Sequence, residues 1–282
     1  MRNKVSYFFY SFSILLGIMG YCWHRLGDPH PKKVVKNHRQ VPTLFIHGYL
    51  GNRASFGVMM HRFTRYGWGQ KSAVMRITKE QTLVVKGDPT LNDGFIQILF
   101  TDNRHCLKQQ AQWLWQILSV LKNKYGVKKV NLVAHSMGAV AVMQYLSLYG
   151  DDLQVAQINK IVSLGAPYND FETGKTTRQI ENLPLTKNGP TVMTPLYQFF
   201  KQRSDRISPR IKFLNIMGDL GNGTASDGAV SLNSAASLRF LLQNYHERYE
   251  ELIIRGKKAA HSRLHENQEI DQKIGQFLFE QS

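Results

Sequence analysis

The sequence predicts an α/β fold, a mostly parallel central sheet with helices on both faces. Three observations carry that expectation. Short apolar runs rich in β-branched residues recur along the chain and end in Gly, Pro, Asn or Asp clusters. Segments with apolar residues at helical spacing alternate with them. The 282 residues, 43% hydrophobic and 20% charged, suffice for a sizeable core in one large domain or two small ones.

Thr43–Ile46 reads as a buried strand, ended by the tight His47-Gly48 loop. Ser72–Ile77 reads as a second strand. Thr82–Lys86 and Phe95–Phe100, set apart by Gly87-Asp88-Pro89 and Asn92-Asp93-Gly94, read as an added antiparallel ribbon. Cys106–Tyr125 carries Ala111, Leu114, Leu118 and Leu121 at helical spacing and stops at Gly126. Lys129–Ala134 is a strand, Met137–Tyr149 a helix ended by Gly150, and Ile161–Pro167 a strand and turn. Further strands are expected at Ile211–Met217 and Leu252–Ile254. An amphipathic helix, Asn267–Phe279, closes the chain with Ile270, Ile274, Phe277 and Leu278 on one face. Residues 168–208 are long, irregular and rich in aromatics (Tyr168, Phe171, Tyr197, Phe199, Phe200). They are expected to form either a cap-like insertion over a pocket or an ordinary surface subdomain.

Ahead of this domain, Arg2 and Lys4 precede an uncharged stretch from Val5 to Trp23. A basic start and an apolar core are the plan of a secretory signal or signal anchor, here within residues 1–27. The run is just long enough to span a bilayer, and aromatics flank it at both ends. It has no small-x-small cleavage pattern, which favours a retained anchor over a cleaved signal. Either way the expected location of the domain, 41–282, is outside the cell, at its surface. Residues 28–40 read as a basic linker: Arg25, Lys32, Lys33, Lys36 and Arg39 lie around it against one acid, Asp28, and Pro29 and Pro31 exclude a continued helix. The whole chain carries 36 Lys+Arg against 20 Asp+Glu, a net charge of +16. Nothing resembles a nucleic-acid motif, so the expected neighbour is an anionic membrane or wall polymer. Two cysteines, Cys22 and Cys106, are too few for a disulfide framework.

The chemistry centres on Ala134-His135-Ser136-Met137-Gly138, which falls between an expected strand and an expected helix. A serine hydroxyl is a weak nucleophile and must stand clear of the sheet beside a base. A sharp strand-to-helix turn with small flanking residues achieves this, and marks Ser136 as the nucleophile. The backbone N–H of Met137 is one expected oxyanion donor, and Tyr49, after the 43–46 strand, supplies the second. His47 is read as a structural residue pinning that loop. The acid should follow a later strand; Asp227 in Ser226-Asp227-Gly228 is preferred to Asp219. The base should follow the last strand; His261 is preferred to His265. No metal or cofactor is required, and the sequence names no substrate-binding residue.

These motifs, with Leu164-Gly165-Ala166-Pro167-Tyr168-Asn169 and the run from His261 to Asn267, resemble one branch of the α/β hydrolases. That branch is the "cell surface hydrolase" family of Gram-positive, lactobacillus-type bacteria, and the resemblance covers roughly residues 40–280. It implies the α/β-hydrolase fold, a Ser136–Asp227–His261 triad, lipase- or esterase-like activity and an exported or membrane-anchored location. Ala134 departs from the glycine of many relatives, and still fits the turn. The expected reaction is hydrolysis of a small-molecule or lipid-like carboxylic ester of short or medium acyl chain. The rival readings are an amidase or peptidase on the same triad and a silent surface-binding protein.

Overall fold

The computed structural model describes residues 41–102, 106–171, 180–242 and 245–280. The apolar run at 5–23 and the basic stretch to residue 40 lie outside the described residues. Ten strands form among those described: β1 (Thr43–Ile46), β2 (Gln70–Ile77), β3 (Leu83–Gly87), β4 (Gly94–Phe100), β5 (Lys129–His135), β6 (Gln157–Leu164), β7 (Leu185–Thr186), β8 (Gly189–Pro190), β9 (Lys212–Asp219) and β10 (Tyr249–Arg255). β7 and β8 make a small hairpin. The other eight form one sheet in the order β10-β9-β6-β5-β1-β4-β2-β3. All its pairings are parallel except that of β2 with the edge strand β3.

One expectation from the sequence fails here. Residues 82–86 and 95–100 do not pair as a ribbon. β3 pairs antiparallel with β2, whereas β4 lies between β1 and β2, parallel to both. Six of the seven β4 residues are buried, so both its faces are covered. That is the environment of an interior parallel strand, and it explains why its sequence runs apolar.

The helices are α1 (Arg53–Arg65), α2 (Leu107–Tyr125), α3 (Met137–Tyr149), α4 (Pro195–Lys201), α5 (Leu232–Ala236), α6 (Tyr245–Arg248) and α7 (Gln268–Phe279). Local chemistry sets their ends. Asn52 and Ser55 form a reciprocal capping box on α1, Asn267 caps α7, and Gly126 ends α2 in the left-handed conformation. Alternation along β1 sends Leu44 and Ile46 to one face of the sheet and Phe45 to the other. The first face packs Leu114 and Leu118 of α2 with Val140 and Met143 of α3. The second packs Phe56 and Phe63 of α1 with Ile270 and Ile274 of α7. Helices therefore cover both faces, as the fold class requires.

The 168–208 segment divides. Tyr168, Tyr197 and Phe200 are buried in the first core, with the Tyr168 hydroxyl on Ser163 Oγ (2.8 Å) and that of Tyr197 on the Ser237 carbonyl (3.0 Å). Phe171 is exposed.

Between α1 and α7 lies a fully buried ion pair. The Arg62 guanidinium donates to both carboxylate oxygens of Asp271 (2.5 and 2.8 Å) and to the carbonyl of His265 (3.0 Å). Two helices are thereby tied to the 3₁₀ segment His261–Glu266.

Seven strands share one direction, so the molecule has two poles. The chain enters β1 at one pole. The loops that follow β1, β5, β6, β9 and β10 gather at the other.

Candidate active site

At that second pole β5 turns sharply into α3. Ser136 sits at the turn with φ 53° and ψ −130°, a left-handed conformation that a β-carbon resists. Its N–H donates to the Leu164 carbonyl of the neighbouring strand (2.8 Å), which holds the turn. The small flanking residues are a packing requirement. A β-carbon on Gly138 would stand 2.4 Å from the His47 carbonyl oxygen, and one on Gly48 would stand 2.9 Å from the Ser136 β-carbon.

The loop after β9 and the segment after β10 converge on this turn. His261 opens the 3₁₀ segment, with Nε2 2.9 Å from Ser136 Oγ and Nδ1 2.7 Å from Asp227 Oδ2. Nδ1–H donates to the carboxylate, which leaves Nε2 free to accept the serine proton. Asp227 is 2% exposed. Its other oxygen accepts from the N–H groups of Ala229 (2.9 Å) and Val230 (2.7 Å), and its carbonyl accepts from the N–H of His261 (2.9 Å). The carboxylate is thus oriented from one side by the turn it sits in, and it positions both the ring and the backbone of the histidine.

The alternatives are placed elsewhere. Asp219, the last residue of β9, accepts from the Gly221 N–H (2.9 Å) and faces Arg255 at 3.9 Å. It shapes the loop that leads to Asp227. His265 packs its ring against Phe56 and His135 (centroids 5.7 and 5.1 Å apart). Gly48 lies against the Ser136 β-carbon, and Met137 opens α3, where the first N–H groups have no intrahelical acceptor.

His47 is buried. Its Nδ1–H donates to the Gly48 carbonyl (2.9 Å) and its Nε2 accepts from the Phe100 N–H (3.1 Å). Burial lowers its pKa, in keeping with a neutral ring that locks the loop after β1 to the end of β4.

Two further residues touch the site and a third, Asp170, feels the charge of Asp227; sequence reasoning gave none of them a role. His135 is buried with its Nε2–H donating to the carbonyl of His261 (3.0 Å) and its ring 4.6 Å from the His261 ring. Burial, then the neighbouring His261 and His265, hold it well below the ordinary histidine pKa. Gly165, at φ 55°, lies under the acid–base pair: a β-carbon there would meet Leu264, Asp227 Oδ2 and His261 Nδ1 at 2.8, 2.9 and 3.2 Å. Its motif was visible, and a glycine directly after a strand was the available signal. Asp170 is 8% exposed with Oδ1 lacking a hydrogen-bond partner. Burial above all raises its pKa to about 6, and the charges of Glu181 and Asp227 add to that. Among the described residues no cluster of His, Cys, Asp or Glu could hold a metal ion.

A family model described as "Alpha/beta hydrolase of unknown function (DUF915)" matches residues 30–281. Among solved structures, a Listeria innocua protein, the product of the gene lin2722, is 27% identical, with a TM-score of 0.75 over 85% of this chain and 94% of its own. A Lactobacillus plantarum protein provisionally named a cell surface hydrolase is 21% identical, with a TM-score of 0.68 over 86% of this chain and 92% of its own. No curated protein matches in sequence.

Proposed function

The chain belongs to the α/β-hydrolase family of unknown function whose model spans residues 30–281, and from that premise we propose that it hydrolyses carboxylic esters of short or medium acyl chain through an acyl-enzyme on Ser136. The observation that carries this reading is the continuous line from Asp227 Oδ2 through the His261 ring to Ser136 Oγ, with steps of 2.7 and 2.9 Å. His261 Nε2 takes the hydroxyl proton as Oγ attacks the ester carbonyl. The oxyanion is held by the N–H groups of Met137 and Tyr49. His261 then gives its proton to the departing alkoxide, and the alcohol leaves. Water, deprotonated by the same ring, attacks the acyl-enzyme and frees the carboxylic acid. Asp227 keeps the imidazole oriented and stabilises its cationic form throughout.

The test is labelling by a fluorophosphonate together with a chain-length panel of chromogenic esters. Wild type is expected to label and to turn over the shorter esters. Ser136→Ala is expected to lose both while its circular dichroism is unchanged. Labelling of the variant at the wild-type rate would remove Ser136 from the reaction. A matched amide cleaved as fast as its ester would move the reading to an amidase. The domain is further proposed to work at the cell surface. The apolar run at 5–23 supports this; no helix among the described residues is long and apolar enough to cross a membrane.

A further inference from the structure

Resting on the esterase reading, we propose that the rim around Ser136 docks onto an anionic lipid surface, so that the preferred ester is one presented by a lipid aggregate. Five large apolar side chains are exposed among the described residues, and four of them, Leu50, Phe171, Val192 and Met193, are at the pole of the nucleophile. The fifth, Leu153, precedes β6 and so lies at the opposite pole.

The four flank Ser136 from two sides. Leu50 belongs to the loop after β1, whose Gly48 touches the Ser136 β-carbon. The others belong to the segment after β6. There the Asn169 side chain donates to the Val192 carbonyl (2.8 Å) and accepts from the Thr194 N–H (3.0 Å). That clamp holds 192–194 against the loop that leads to Phe171.

Leu50 is the most telling. It is 47% exposed and has φ 55°, a conformation that costs a leucine roughly 1–2 kcal/mol and suits Gly or Asn. Neither the backbone nor the core gains from leucine at this position. An apolar side chain held outward beside a nucleophile is explained by something apolar arriving from outside.

Charge and chain length select the occupant. Arg263, two residues after His261, is exposed beside the site, on a chain of net charge +16, whereas the Phe171 N–H donates to the carboxylate of Glu181 (2.6 Å). A basic side chain beside an apolar rim, on a chain with this net charge, fits a surface of anionic headgroups over acyl chains. The chain ahead of Val41 carries the uncharged run 5–23, which places such a surface within the reach of the linker.

The experiment uses the full chain, so that the N-terminal region is the same in every arm. Rates are measured on a soluble acetate ester and on a fluorogenic phosphatidylglycerol carried in phosphatidylglycerol vesicles. Leu50→Asn and Phe171→Ser are each expected to lower the vesicle rate about tenfold and to leave the soluble rate within about twofold, from the apolar contact each removes. The melting temperature of Leu50→Asn should hold or rise, since its backbone strain is relieved. Equal losses on both substrates would make the rim part of a pocket for soluble esters and overturn the proposal. Unchanged vesicle rates, or a wild type inactive on vesicles, would overturn it while Ser136-dependent cleavage of the acetate left the esterase reading standing. A wild type that neither cleaves an ester nor labels at Ser136 would remove both.

Discussion

His261 and His265 stand four residues apart on one 3₁₀ segment; the first ring lies 2.9 Å from Ser136 Oγ and the second packs on Phe56 and His135. His261→Ala is therefore expected to lower kcat by orders of magnitude, and His265→Ala, whose ring packs on Phe56 and His135, to act mainly on stability. Asp227→Asn should cost about ten-thousand-fold in kcat by stabilising the wrong tautomer. Asp219→Asn should loosen the loop at Gly221 and spare the chemistry. Steady-state kinetics of the four variants on one ester, with circular dichroism, separate the pairs. Asp170 gives a second expectation. Its carboxyl has a pKa of about 6 in the fold against an ordinary 3.8, so the folded state binds the extra proton between these values. The group's contribution to stability is then complete below pH 4 and is lost as the pH rises through 6. Asp170→Asn should raise stability at pH 7 by up to about 3 kcal/mol and change little at pH 4, as thermal unfolding at the two values would read. That Ser136, Asp227 and His261 would meet was legible because their order along the chain and their strand contexts are local facts. His135 and Gly165 act through contacts with residues tens of positions away, 126 for His135 and His261, and a sequence does not display such contacts.

The elements themselves were readable where burial repeats with a period. Helices 107–125, 137–149 and 268–279 lie within a residue of their expected bounds. β4 was misplaced because an interior parallel strand and a short ribbon strand share one composition, and only pairing tells them apart. The tie between α1 and α7 had no sequence signal, since Arg62 and Asp271 are 209 residues apart. That pair carries an expectation for the elements it joins. Arg62→Met leaves Asp271 charged and buried and should destabilise by about 3–5 kcal/mol. Adding Asp271→Leu should recover most of the loss, because two apolar side chains replace a pair that was costly to desolvate. Urea midpoints measure both variants. Arg62→Met should also slow ester turnover, since the His265 carbonyl loses its donor and the segment that carries His261 is freed at one end.

For the whole molecule, the fold class was legible from alternation alone, since short buried runs between amphipathic helices admit few arrangements besides a covered parallel sheet. Location is a separate matter and rests on residues ahead of the fold. The full-length chain is expected in the membrane fraction of cells. A shortened form found only in the medium would replace the anchor with a cleaved signal, and the intact chain in the cytosol would exclude both. The direction of the seven parallel strands bears on what such an anchor would demand. The chain enters the domain at Val41, at the pole opposite Ser136. An anchored domain standing upright would therefore turn its reactive end toward the surroundings, away from the bilayer it hangs from. Residues 24–40 are 17 in number and, drawn out, reach about 56–61 Å, against a radius of gyration of about 18 Å for a compact domain of this size, enough to let it capsize. Were such an anchor retained, the leash would act as a choice of audience: slack, it would permit grazing on the home membrane, and taut, it would leave only what drifts past.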